Sequence, residues 1–141
     1  MFELVNDPEY FSEEAMTFNH HSYGVSLDEF STDAGLGKMF TPTSTSTDPV
    51  SGDTFVATME SPDYPFFGTQ FHPEKVLTMY NTDTLDHSWA SVHYNRYFAD
   101  RFLELARENK NEAPYETVEG MLMQNYDLIV TGTYYGNVYA F

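Results

Sequence analysis

The sequence predicts an α/β domain, on three observations. Residues 54–59 alternate Phe55, Ala57 and Met59 against Thr54, Val56 and Thr58, next to a Thr/Ser-rich run at 40–47. Residues 89–106 repeat apolar side chains at three- and four-residue steps, and an aromatic stretch at 66–71 stops abruptly at His72-Pro73-Glu74. Period two marks a strand, period 3.6 a helix, and a short apolar run bounded by turn residues marks an interior strand. The 141 residues, 41% hydrophobic and 17% aromatic, supply a core for one domain.

Along the chain, residues 2–14 mix acids, Pro8 and aromatics without period, and Ala15-Met16-Thr17-Phe18 predicts a short buried strand. It stops at Asn19-His20-His21-Ser22-Tyr23-Gly24, a polar loop at a strand end, where α/β folds keep binding groups. A turn or short helix is expected around residues 27–30, before Gly35 and Gly37. Asp48-Pro49-Val50-Ser51-Gly52-Asp53 then predicts the six-residue connection of a hairpin joining residues 40–47 to 54–59. A second turn, Ser61-Pro62-Asp63-Tyr64-Pro65, precedes the strand at 66–71, and Pro73 must end that strand because it cannot donate to a ladder.

Residues 76–87 read as a long polar loop. The helix after it carries Trp89, Val92, Tyr94, Phe98, Phe102, Leu105 and Ala106 on its apolar side, and Asn95, Arg96, Asp100, Arg101 and Glu104 on the others. Ser88 or Asp86 is suited to cap its start, and the stripe of Trp89, Tyr94, Phe98 and Phe102 is expected in the core. Residues 112–124 are acidic and fit neither template, and residues 126–141 end the sequence as short strands or an extended tail.

Six Lys and Arg against 22 Asp and Glu leave a formal charge of −16, which repels phosphate backbones and anionic lipid. No nucleic-acid partner is expected, and no membrane partner, since no apolar run approaches the roughly 20 residues of a span. The acid-rich start lacks the basic and apolar order of a secretion leader. Without a single Cys, there is no disulfide, thiolate metal site or cysteine nucleophile in these 141 residues.

A strand end that presents His72 and Glu74 two positions apart, around a proline, sets both side chains toward one cleft. A histidine there moves protons near neutral pH, and the carboxylate fixes its tautomer and stabilises the imidazolium. Competing chemistry is weaker. His20 and His21 are adjacent and His87 and His93 lie six apart, neither of which is the spacing that puts two metal ligands on one helix face. Ser22, Ser26 and Ser88 have no Gly-x-Ser-x-Gly elbow and read as caps and turns. No metal and no cofactor are expected.

The octapeptide Phe67-Gly68-Thr69-Gln70-Phe71-His72-Pro73-Glu74 resembles the strand that carries the catalytic His and Glu of class I glutamine amidotransferases, an α/β family with a Cys-His-Glu triad. Met59-Glu60-Ser61-Pro62-Asp63-Tyr64-Pro65, Lys75, Asn19-His20-His21-Ser22-Tyr23 and Thr131-Gly132-Thr133-Tyr134-Tyr135-Gly136-Asn137 narrow the resemblance to γ-glutamyl hydrolase, which trims poly-γ-glutamate tails from folates. It covers nearly all of residues 1–141, which match about the C-terminal half of such a domain.

The resemblance implies a three-layer flavodoxin-like sandwich that needs strands from an N-terminal half. It implies His72 as triad histidine, Glu74 as its orienting carboxylate and His21 as a second histidine that holds substrate, with His20 standing where relatives are expected to be apolar. The partners implied are a γ-glutamyl substrate and an N-terminal nucleophile half bearing the Cys, on the same polypeptide or a separate chain; a homo-oligomer is left open. Relatives are lysosomal, vacuolar or secreted. The alternative is a non-catalytic structural or assembly subunit derived from this family. A third reading, an amidotransferase subunit that feeds ammonia to a synthase, fits the tail and Lys75 less well.

Overall fold

The computed structural model describes residues 16–130 and 137–140. The chain divides into two compact units, Met1–Glu108 and Asn109–Phe141. Residues 2–15 and the segment 131–136, for which an aperiodic start, the beginning of a strand and an extended tail are expected, lie outside the described residues.

In the first unit two short helices, α1 (Leu27–Thr32) and α2 (Leu36–Met39), lead into the hairpin of β1 (Thr41–Thr47) and β2 (Thr54–Glu60). Ser26 caps α1: its hydroxyl accepts the Glu29 N–H at 3.1 Å, and the Glu29 carboxylate accepts the Ser26 N–H at 3.2 Å. Asp33 starts α2 by accepting the N–H groups of Gly35 and Leu36, which hold its carboxyl below the ordinary carboxylate range.

The hairpin has the predicted six-residue connection. Asp48 accepts the Val50 and Ser51 N–H groups at 2.7 and 2.8 Å, the Gly52 N–H reaches the Asp48 carbonyl, and Gly52 takes φ +79°, where a side chain would be strained. The N–H bonds of Ser51 and then Val50, aided by the charge of His21, hold the Asp48 carboxyl below its ordinary value of 3.8. A lowered carboxyl stabilises the folded turn above its unfolded pKa, and that support is lost as pH falls through the folded value. Protection of the Val50 and Ser51 amides, measured against their intrinsic exchange rates at each pH, should therefore fall below about pH 4, and Asp48→Asn should flatten that acid leg.

β1, an edge strand, tolerates Pro42 and shifts register around Ser44. Its hydroxyls reach across to β2, with Thr43 and Ser44 both bonded to the buried Thr58, at 2.7 and 2.6 Å. β3 (Phe67–Thr69) completes an antiparallel sheet of order β1-β2-β3. As the central strand, β2 buries Val56, Ala57 and Thr58 in succession, so side chains on both faces are covered.

β3 is three residues long, whereas a strand over 66–71 is expected. Phe66 is drawn into the preceding turn by its N–H bond to the Tyr64 carbonyl, and beyond Thr69 only the Gln70 N–H still reaches Ala57. Of the strand expected at 15–18, the described residues 16–18 make one antiparallel bridge, Phe18 to His72, with the His72 N–H on the Phe18 carbonyl at 2.8 Å. The segment 76–87 is not a plain polar loop. It opens in a short helix, α3 (Lys75–Thr78), because Val76 inserts fully into the core and Leu85 is also buried.

α4 (Trp89–Glu108) is the predicted long helix. Ser88 caps it by accepting the Ser91 N–H, and Asp86 in turn holds Ser88 through its N–H and hydroxyl. The covered face is Ser91, Asn95 and Phe98, at steps of four and three. Three expectations therefore need correction. Trp89 is 77% exposed, because two residues before Ser91 is nearly the opposite side of the helix, and Phe102 is 62% exposed, because the face it shares with Phe98 is open one turn further on. Asn95, expected toward water, is buried.

Phe98 meets Phe71 edge-on at 5.3 Å, among a core that also holds Met16, Phe30, Val56 and Val76. In the second unit, α5 (Tyr115–Val118) and two single 3₁₀ turns precede β4 (Asp127–Val130), which pairs antiparallel with β5 (Asn137–Ala140). No helix among the described residues is long and apolar enough to cross a membrane.

Candidate active site

The chain leaves β3, makes its last backbone bond to β2 at Gln70, and bends so that His72 docks on Phe18. Pro73 then turns it into α3, with Glu74 at the helix start. Here the His72 Nδ1 faces the Glu74 Oε1 at 3.1 Å. With the carboxylate as acceptor, Nδ1 carries the hydrogen, which leaves the Nε2 lone pair as the basic end of the ring. Nε2 makes no hydrogen bond to a described residue, and both side chains are about half exposed, at 41% and 56%. An oriented imidazole with its basic nitrogen open can take a proton from an incoming group and return it.

One loop ties the histidines together. It begins at Phe18, bridged to His72, and ends at Val25 and Ser26, where the Val25 carbonyl accepts the Val56 N–H and Ser26 bridges Phe55. Both His20 and His21 ride on it and point to different neighbours. The His20 ring stacks nearly parallel on Phe18 at 6.0 Å, and the Phe18 ring lies 6.2 Å from that of His72. His21 instead stands edge-on to Phe55 at 5.1 Å, with Nδ1 at 3.0 Å from the Tyr23 carbonyl and Nε2 at 3.2 Å from the Asn19 Oδ1. It lines an open cleft of about 400 Å³ with Glu29, Asp48, Asp53 and Phe55. Ring contacts thus bring His20, through Phe18, toward His72 and Glu74, and place His21 on the hairpin side of the loop.

Gly24 allows that close approach. A Cβ there would sit 2.9 Å from the Phe55 Cβ, an atom with no freedom to swing aside. Gly24→Ala should cost about 1–3 kcal/mol by overpacking and displace the His21–Phe55 pair, visible as a changed His21 ring shift by NMR.

Two residues that support the site escape a reading by periodicity, Ser91 and Asn95. The Ser91 hydroxyl and the Asn95 amide both donate to the Met16 carbonyl, each at 3.1 Å. Their four-residue spacing on the face of α4 that also carries Phe98 was the available signal. Among the described residues no group of three His, Asp or Glu side chains could hold a metal ion.

The class I glutamine amidotransferase family model matches residues 7–91, and the chain belongs to that family. Its curated relatives are γ-glutamyl hydrolases. Gamma-glutamyl hydrolase B of Dictyostelium discoideum is 30% identical over 142 residues, 98% of this chain and 39% of the relative. Gamma-glutamyl hydrolase of Homo sapiens is 33% identical over 121 residues, 84% of this chain and 37% of the relative, and probable gamma-glutamyl hydrolase 3 of Arabidopsis thaliana is 31% identical over 121 residues, 86% and 34%. The chain therefore spans less than two fifths of the length of these relatives.

Proposed function

We propose that this chain is the His- and Glu-bearing part of a cysteine-type γ-glutamyl hydrolase that cleaves γ-glutamyl amide bonds of folate poly-γ-glutamates or related γ-glutamyl peptides. The observation that carries the reading is the His72–Glu74 pair at 3.1 Å, with the opposite ring nitrogen unbonded among the described residues. The nucleophile is a Cys outside these 141 residues, on the same polypeptide or on a partner chain, since the sequence contains none.

The proposed chemistry uses that geometry. His72 Nε2 takes the thiol proton as sulfur attacks the γ-carbonyl carbon, and Glu74 stabilises the resulting imidazolium through Nδ1–H. The tetrahedral centre collapses, the C–N bond breaks, and the imidazolium gives its proton to the leaving amine. Water, deprotonated by the same nitrogen, then attacks the thioester and releases the γ-glutamyl acid and the free thiol. His21, in the open cleft beside Phe55, contacts the substrate after exchanging one of its two loop hydrogen bonds for a substrate oxygen.

Hydrolysis of a γ-glutamyl peptide by the complete protein, compared with Glu74→Ala, tests this reading. Glu74→Ala should lower kcat by less than the roughly 10²- to 10⁴-fold span typical of the acid–base residue itself, because water can partly replace an exposed orienting carboxylate. Unchanged kcat would remove Glu74 from the mechanism.

A further inference from the structure

His72 docks on a backbone that is itself held from behind. The His72 N–H bonds the Phe18 carbonyl at 2.8 Å, and two residues earlier the Met16 carbonyl accepts both the Ser91 hydroxyl and the Asn95 amide at 3.1 Å. Ser91 and Asn95 are 0% and 1% exposed, and the Asn95 amide is fixed further by the Ser91 carbonyl at 2.9 Å. Its Oδ1 is buried without a hydrogen-bond partner among the described residues. Such an orphan acceptor costs stability that a leucine at the same place would not. Two donors on one carbonyl add what apolar packing lacks, a fixed direction and position.

We propose that Ser91 and Asn95 are positioning residues for His72. By clamping the Met16 carbonyl they fix the segment 16–18, and through Phe18 they fix where the His72 backbone and ring stand against Glu74. The catalytic consequence rests on the reading of His72 as the base; the structural consequence does not.

The test uses the complete protein and two readouts, the hydrogen-exchange rate of the His72 amide and the kcat and KM for a γ-glutamyl peptide. The double variant Ser91→Ala/Asn95→Leu should speed His72 amide exchange by about 10-fold and lower kcat by about 10- to 100-fold, with KM within about 2-fold. Ser91→Thr keeps the hydroxyl, and although its added methyl in this fully buried site should lower Tm, both readouts should stay nearer wild type than in Ser91→Ala. Phe30→Leu, a core change on α1, should lower Tm without speeding the His72 amide. Should the double variant not fold, Ser91→Ala alone should move both readouts the same way by about 3-fold.

Wild-type exchange at His72 in the variants that lose a donor would overturn the proposal, as would an equal acceleration and equal loss of kcat in Phe30→Leu at matched Tm. If the wild-type protein hydrolyses no γ-glutamyl peptide, the functional reading fails, and the amide exchange alone decides whether the clamp positions His72.

Discussion

Replacing His72 with alanine in the complete protein is expected to lower γ-glutamyl hydrolysis by at least about 10²- to 10⁴-fold, the usual worth of a positioned acid and base. The loss should exceed that of Glu74→Ala because in the proposed mechanism the ring does two jobs: its Nε2 activates the thiol and later protonates the leaving amine. Folding should change little. His72 is half-exposed, and the bond that docks it, from its N–H to the Phe18 carbonyl, belongs to the backbone and survives the substitution. The measurement is kcat together with Tm: a large drop in kcat at nearly constant Tm is the predicted pattern, and turnover near wild type would remove His72 from the chemistry.

The largest expected effect on stability is at Phe98. Its ring is 7% exposed and packs edge-on against Phe71, the residue just before His72. Phe98→Ala should cost about 3–5 kcal/mol, through lost transfer free energy and the cavity left behind. Denaturant unfolding of the complete protein would read it as a lower midpoint at unchanged slope. Because Phe71 borders His72, the same variant should also loosen the His72–Glu74 contact at temperatures where the protein is still folded. By contrast Phe102→Ala, one turn away on the open part of α4, should cost little within this unit.

What the sequence discloses here depends on how local each interaction is. The hairpin is legible because the Asp48 bonds to Val50 and Ser51 and the positive φ of Gly52 span only a few residues. α4 is legible from its period, and the His72–Glu74 pair because a proline between two chemical side chains fixes their relation within three residues. The burial of Ser91 and Asn95 is not legible, since their acceptor is the Met16 carbonyl, 75 and 79 positions away in sequence.

The exposure of Trp89 is concealed for a related reason. Counting apolar residues does not settle which of two adjacent faces meets the core, and α4 meets it along Ser91, Asn95 and Phe98. The helix at Lys75–Thr78 is hidden by its length, one turn inside a segment whose composition is that of a loop. The orientation of the adjacent histidines on the 19–24 loop depends on Phe18 and Phe55, each anchored by a nonlocal bridge. Chain pattern carries the motif, and tertiary contacts decide which way it faces.

The proposed function requires His72 and Glu74 to serve a cysteine that lies outside these 141 residues. The most direct test treats the complete protein with an electrophilic γ-glutamyl analogue and maps the label by peptide mass spectrometry, in wild type and in His72→Ala. The expected result is a single γ-glutamyl thioether or thioester on one Cys outside this chain, formed far more slowly in His72→Ala. A label on a residue within this chain, no labelled Cys at all, or wild-type labelling kinetics in His72→Ala would contradict it.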